Sequence, residues 1–375
     1  MDNKNEIINI ITWCDADNIV NYGQVLQGCA IGKIISELNV GQVTLLSYRK
    51  RNFWNICKYY LIHFNPFSKN RNMYSETRKF VNKIMKEESI DFKQVFTRNQ
   101  VEKSTQKATV LLCGSDQIWH PMEFDPILLL GVKNRKAKRI AYAASEPMGK
   151  VYSEHRNIYK KMGKYLKHFD KISIREKGTV PLIESLSGLH VENVVDPTLL
   201  VTREEWNRMI VPMNLKEKYV LLYIPADMNS LAQKIVTKIR KETGIKKIIC
   251  IAPRITAKLS HVDQYNNIGV GKFLYLVKNA EFICTSSFHG VIFSIIFEKQ
   301  FWCFKWFFTD RRSDLRLEQI TEMAGLEDRL IKSEKEIDIK KEIEYEACKK
   351  KMSKEIEKSF EFLHAAFEEK SLYNH

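Results

Sequence analysis

The segment Thr285-Ser286-Ser287-Phe288-His289-Gly290 sets two hydroxyls, an aromatic ring and an imidazole between an apolar run and a helical stretch. A helix N-terminus lowers the pKa of an imidazole and favours a bound anion, so His289 suits proton transfer or phosphate recognition. Ser287 belongs to the same turn, and Phe288 can anchor it inward. Arg175, in Ser173-Ile174-Arg175-Glu176-Lys177, offers a planar fork for carboxylate or phosphate and stays charged at any working pH. The alternative for Arg175 is an internal pair with Glu176 or with an aspartate of another loop. In Cys113-Gly114-Ser115-Asp116-Gln117-Ile118-Trp119-His120, Asp116 could position sugar hydroxyls and Trp119 could stack on a sugar face. Ser115 and Asp116 could equally form only a turn. In the loop Cys14 to Gln24, Asn21 can cap the following helix and Gly23 lets the backbone come close to a ligand. That loop is neither a dinucleotide fingerprint nor a P-loop.

These residues need elements to hold them. Apolar β-branched runs alternate with amphipathic stretches along most of the chain, the pattern of parallel sheets covered by helices on both faces. Strands are predicted at residues 7–13, 42–47, 109–113, 139–144, 171–174 and 191–195, with a first helix from about Tyr22 to Leu38. Asp196-Pro197, followed by the helix start Thr202-Arg203-Glu204-Glu205, marks a break. The alternation then restarts, with strands at 219–224, 247–252, 281–285 and 301–304 and helices at 230–241, 272–279 and 289–297. The fold class expected is α/β with two doubly wound Rossmann-like domains, residues 1–200 and 201–332, and a C-terminal helical segment over 333–375. In such sheets ligands gather at the carboxyl ends of the strands, where all four segments above are expected.

With 375 residues, 44% of them hydrophobic, the chain can fill two cores, and its 20 Phe, 15 Tyr and 6 Trp argue against disorder. Eight cysteines without a C-x-x-C pair, mostly inside apolar runs, fit buried thiols of a reducing compartment, with no metal site expected. The apolar run Ile7 to Ile11 is too short for a signal peptide, and no stretch approaches the roughly 20 apolar residues of a membrane span, so a cytoplasmic protein is expected. A net charge of +15, with basic clusters at Arg49-Lys50-Arg51 and from Lys133 to Arg139, would attract phosphates on a small substrate, a nucleic acid or an anionic membrane surface. A simply solvated basic face is the bland alternative.

Taken together, Asn21-Tyr22-Gly23-Gln24-Val25-Leu26-Gln27, Gly114-Ser115-Asp116-Gln117-Ile118-Trp119, Ser173-Ile174-Arg175-Glu176-Lys177, Val195-Asp196-Pro197-Thr198-Leu199-Leu200 and Ser287-Phe288-His289-Gly290 resemble the polysaccharide pyruvyltransferase family. The resemblance runs over about residues 7–330. It implies a GT-B-like fold and transfer of the enolpyruvyl unit of phosphoenolpyruvate onto two hydroxyls of one sugar, giving the pyruvate ketal of a cell-surface polysaccharide or its lipid-linked precursor. It implies catalytic roles for His289, Arg175 and Asp116, and substrate contacts at Asp15, Asp17, Asn21, Tyr22, Ser115, Trp119, Ser287 and Phe288. The cations after the His289 helix, Lys305, Arg312 and Arg316, would add anion contacts. No cofactor is expected beyond phosphoenolpyruvate as co-substrate. Neither a metal nor a nucleic acid is expected, and a lipid-carried acceptor would bring the enzyme to the inner membrane face. The competing expectations are a glycosyltransferase using a nucleotide sugar on the same fold, with Glu318 or Glu322 as nucleotide-binding carboxylates, and a non-enzymatic binder of anionic polymer.

Overall fold

A computed structural model describes residues 6–15, 21–64, 71–147, 154–224, 230–252, 262–305 and 315–368. Strands β1 (Glu6–Thr12), β2 (Gly41–Tyr48), β3 (Asp91–Val95), β4 (Val110–Cys113), β5 (Lys138–Ala144), β6 (Lys171–Ile174) and β7 (Val191–Asn193) form one sheet in the order β3-β2-β1-β4-β5-β6-β7. Strands β8 (Tyr219–Tyr223), β9 (Lys247–Ile251), β10 (Asp263–Gln264), β11 (Phe282–Thr285) and β12 (Gln300–Cys303) form a second, ordered β10-β9-β8-β11-β12. All these pairings are parallel. The central strands are apolar because helices cover both faces, so no residue of β4, β5 or β8 reaches solvent appreciably.

Helices α1 (Tyr22–Glu37), α2 (Phe53–Phe64), α3 (Arg71–Glu87), α4 (Arg98–Thr105), α5 (Arg156–Leu166) and α6 (Val180–Ser187) accompany the first sheet. Helices α7 (Arg203–Arg208), α8 (Ser230–Thr243), α9 (Val270–Asn279), α10 (Phe288–Ile296) and α11 (Leu315–Ala324) follow, and α12 (Tyr345–Glu368) closes the described chain. As the sequence indicates, Thr202 starts α7 in a capping box with Glu205. The expected C-terminal helix is present but begins at Tyr345, because Ser333 caps only a single 3-10 turn that ends before Ile337. Strand β3 lies where no strand is predicted: it is a polar edge strand, with Asp91 and Lys93 exposed, so it lacks an apolar run.

Strand order reverses direction between β1 and β4 in one sheet and between β8 and β11 in the other. Such switch points leave crevices at the carboxyl ends of the strands. The loops after β1, β4 and β11 carry three of the four chemical segments, so topology and side-chain chemistry agree.

The two halves are joined by packing. Tyr22, at the start of α1, stacks on Phe273 of α9 with ring centroids 4.7 Å apart and donates its hydroxyl hydrogen to Ile268 O at 3.0 Å. A pair of that kind contributes about 0.5–1.5 kcal/mol beyond its area. Glu76 of α3 accepts from Gly269 N at 2.9 Å and pairs with Lys272. Helix α12 spans the junction: Tyr345 OH donates to Lys299 O after α10, while Ser359 Oγ accepts from Val195 N at 3.0 Å and Phe362 meets Tyr142 of β5.

Candidate active site

The polar groups that follow the strands converge on one buried carboxylate, Asp196, just past β7. Its Oδ1 accepts from Thr198 N at 3.0 Å and Thr198 Oγ1 at 2.7 Å, which fixes the Asp-Pro-Thr turn. Its Oδ2 pairs with Arg175 Nη1, accepts from Ser115 Oγ at 3.3 Å, and lies 3.6 Å from His289 Nε2. Burial alone would raise the Asp196 pKa. The charges of His289 and Arg175, with the hydrogen bonds from Thr198, outweigh it and hold the carboxyl well below the usual carboxylate range.

His289 reaches this point because the turn after β11 is tightly specified. Thr285 Oγ1 donates to Tyr223 O at 2.7 Å and accepts from Ser287 N at 3.0 Å. Ser287 then caps α10 by accepting from Gly290 N at 3.3 Å. Glycine is required at 290, since a Cβ there would stand 2.3 Å from Thr285 Oγ1. The imidazole crosses to the other half of the molecule and lies against Gly23, where a Cβ would be 2.0 Å from Nδ1. The glycine expected to admit a ligand to the α1 backbone therefore admits the ring of His289.

Arg175 is the second arm. Besides Asp196, it approaches Glu176 Oε1 at 3.4 Å, so the internal pairing that the sequence left open is present. Its guanidinium lies over the Phe288 ring at 4.5 Å, and that of Arg316 approaches the same ring at 5.7 Å. Gln117, with its amide turned to accept, receives Arg316 Nη1 and Nη2 at 2.9 and 3.0 Å. Arg175, Glu176, Asp196, Phe288 and Arg316 line one cleft with Gln319 of α11. Two buried donors around Asp196 have no hydrogen-bond acceptor among the described residues: Arg175 Nη2 and His289 Nε2. Buried donors are nearly always paired, so both are available to a bound acceptor.

Other expected residues take varied places. Asp116, at φ 64°, accepts from Gln24 Nε2 at 3.1 Å, and Ser115 Oγ also donates to Ala143 O at 3.1 Å. Asn21 caps α1 by accepting from Gln24 N at 3.2 Å. Buried Asp15 pairs with Arg51 at 3.0 Å. Lys305 pairs with Glu318 at 2.5 Å. Asp17 and Arg312 lie outside the described residues.

Two expectations are corrected. Trp119 does not present a face to a sugar: it is buried in the first core, donates Nε1–H to Leu128 O at 3.0 Å and meets Phe169 edge-on. Tyr22 is likewise consumed by the Phe273 stack between the two halves.

The sequence also hid three participants. Asp196 marked a break and belonged to one of the segments that carry the resemblance, without a role of its own. Gln24 and Gln27 sit in the quoted α1 segment without a role, yet Gln27 accepts from Ser115 N at 3.1 Å and donates to Trp13 O at 2.6 Å, tying the β1 and β4 loops together. Amide side chains three apart on an otherwise apolar helix were the available signal. Among the described residues no three His, Cys, Asp or Glu side chains gather as a metal ion would require, and no helix is long and apolar enough to cross a membrane.

The family model for polysaccharide pyruvyl transferase matches residues 21–306. No protein of curated function matches the sequence. Similar solved structures include S. aureus MnaA in complex with UDP, at 13% identity and TM-score 0.50 over 99% of this chain and 93% of that one. Another is the UDP-N-acetylglucosamine 2-epimerase of Rickettsia bellii, at 10% identity and TM-score 0.50 over 97% of each chain. At such identity the likeness concerns the fold alone, which is GT-B.

Proposed function

The chain belongs to the polysaccharide pyruvyl transferase family, and from that premise we propose that it transfers the enolpyruvyl unit of phosphoenolpyruvate to two hydroxyls of one sugar, closing a pyruvate ketal. The observation that carries this reading is a pair of buried donors around one ionised carboxylate: Arg175 Nη2, on a residue that lines the cleft, and His289 Nε2, 3.6 Å from the same Asp196. Pyruvyl transfer needs that combination: a proton to move and a trianionic donor to hold.

In the proposed reaction a proton is delivered to the methylene carbon of phosphoenolpyruvate, which leaves C2 electrophilic. One sugar oxygen bonds to C2, the C2–O bond to phosphate breaks, and a second sugar oxygen closes the ketal. Of the two hydroxyl protons, one replaces that delivered to carbon and one leaves with phosphate, so the balance needs no redox partner. His289 Nε2 is assigned the proton. Asp196 acts through it as a positioning residue, since a carboxylate 3.6 Å from Nε2 favours the charged imidazole. Arg175, Arg316 and the amides opening α10 are assigned the carboxylate and phosphate, with Lys305 at the edge of that set. Side chains and a helix N-terminus suffice to stabilise this charge, so no further cofactor is invoked. Asp15, Asn21, Ser115 and Asp116, with Asp17, are assigned to the acceptor side. Asp116 accepts from the Gln24 amide of α1 and is assigned to receive an acceptor hydroxyl at the same carboxylate.

The acceptor in this reading is a lipid-linked saccharide, which places the enzyme against a membrane surface during turnover. A nucleotide-sugar transferase would need a carboxylate for the ribose late in the second half, and Glu318 is already paired with Lys305. The decisive experiment incubates the protein with phosphoenolpyruvate and a panel of synthetic and lipid-linked sugars, and measures phosphate release together with product mass. A product carrying a ketal pyruvyl group, with equimolar phosphate, is expected. Sugar transfer from a nucleotide donor, or salt-sensitive polymer binding without turnover, would overturn the reading.

A further inference from the structure

Among the described residues, six large apolar side chains are exposed, and four of them belong to α2: Phe53, Trp54, Tyr60 and Leu61. Phe53, Trp54 and Leu61 recur at helical spacing on the outer face, 71%, 78% and 73% exposed. The inner face is occupied: Tyr59 packs edge-on against Phe96 at 4.8 Å and carries the Arg51 guanidinium at 4.4 Å. Met122, 66% exposed, shares a surface pocket with Arg49 and Lys50, which lead directly into the helix. Scattered exposed apolar residues are ordinary, but an aromatic cluster of this size on one short helix is an interaction surface.

Its charge identifies the partner. No Asp or Glu occurs between Glu37 and Glu76, while Arg49, Lys50, Arg51 and Lys58 lie in or beside α2, with Lys50 and Lys58 exposed. The nearest acidic groups across the pocket are Glu123 and Asp125, and Asp125 is bound to Tyr48 OH at 2.9 Å. Aromatic residues that settle at headgroup depth, ringed by lysine and arginine, match an anionic bilayer: the rings enter the interface and the cations meet lipid phosphates. The surface also stands next to the chemistry. Arg51, two residues before α2, holds Asp15 at the carboxyl end of β1, where the acceptor side begins.

The geometry points to α2 as a membrane-docking helix that seats the enzyme on an anionic lipid surface, with the acceptor edge of the first sheet beside it. This deepens the reading of a lipid-linked acceptor and rests on it for its purpose, although the surface can be tested without turnover.

The full chain is mixed with phosphatidylcholine vesicles with and without phosphatidylglycerol and sedimented. Binding at least about tenfold stronger to the anionic vesicles is expected, falling as salt screens the cations. Phe53→Ser with Trp54→Ser should lower that binding by about tenfold or more, and Lys50→Gln with Lys58→Gln by several-fold, with turnover on a water-soluble acceptor unchanged. Equal binding to neutral vesicles, no binding to anionic ones, or a Phe53/Trp54 variant that binds like the wild type would overturn the proposal. So would self-association of the wild type that this variant abolishes, since the face would then cover a second copy. Vesicle binding without any pyruvyl transfer would instead refute the donor reading and leave the docking surface standing.

Discussion

Two charge clusters lie at opposite ends of α1, and they are built differently. At one, Lys33 Nζ meets Glu37 at 2.5 Å, Glu88 at 2.9 Å and Glu205 at 2.9 Å, so its three donors have three carboxylates. At the other, Asp196 gathers Arg175, Ser115, Thr198 and His289, yet among the described residues Arg175 Nη2 and His289 Nε2 have no acceptor. A cluster that only joins α1 to its neighbours can satisfy every donor. One that must receive a substrate keeps donors in reserve, at a cost to the unliganded fold.

The contrast breaks if substitutions at the two clusters have the same consequences. The largest effect should be at His289. Replacing it by Gln removes the titrating nitrogen while keeping most of the volume, and is expected to lower kcat by about 10²–10⁴-fold with thermal stability nearly unchanged, as read by steady-state kinetics and a melting curve. Asp196→Asn should damage both properties, because it removes the nearer of the two carboxylates around the buried Arg175 guanidinium: about 3 kcal/mol of stability in denaturant unfolding, with reduced turnover. Gly23→Ala forces a methyl onto the His289 ring and should cost about 1–3 kcal/mol, with a fall in kcat that exceeds any change in KM. Lys33→Met, at the satisfied cluster, should cost about 1 kcal/mol and leave kcat intact, since its carboxylates reach solvent in part.

The clusters should also part in pH dependence. The carboxyl of Asp196 is held below its unfolded value, so its contribution is complete above about pH 4 and is lost as pH falls toward the folded value. Burial opposes the charge of Lys33, but the three carboxylates outweigh it and raise its pKa well above the ordinary lysine value. Its contribution is therefore present below about pH 10 and fades only as pH rises beyond. Unfolding measured across pH should show Asp196→Asn flattening the acid limb and Lys33→Met leaving that limb as it is.

Much of this arrangement was legible in the residues. The runs that became β1, β4, β8 and β11 are apolar enough to be read directly, and parallel sheets dictate that the loops after them meet at the carboxyl edges. That logic located the turns carrying His289, Arg175 and Asp116. It failed where one residue type serves two purposes. An aromatic after a strand can face a cleft or the core, and Trp119 and Tyr22 face inward because Leu128 O and Phe273 are there to meet them. An Asp-Pro pair reads as a chain break, while Asp196 uses the same turn to aim its second oxygen at Arg175 and His289. Long-range pairings of this kind have no local periodicity. Exposed α2 was equally hidden, since Phe53, Trp54 and Leu61 look like core residues until the fold shows that nothing covers them.

The central claim is that pyruvyl transfer from phosphoenolpyruvate runs through the open cluster. The most direct test measures phosphate released and ketal formed, side by side, for the wild type and His289→Gln at matched fold and saturating phosphoenolpyruvate. The account predicts equal amounts of the two products from the wild type and a rate at least about a hundredfold lower from the variant. Full activity in the folded variant would contradict it.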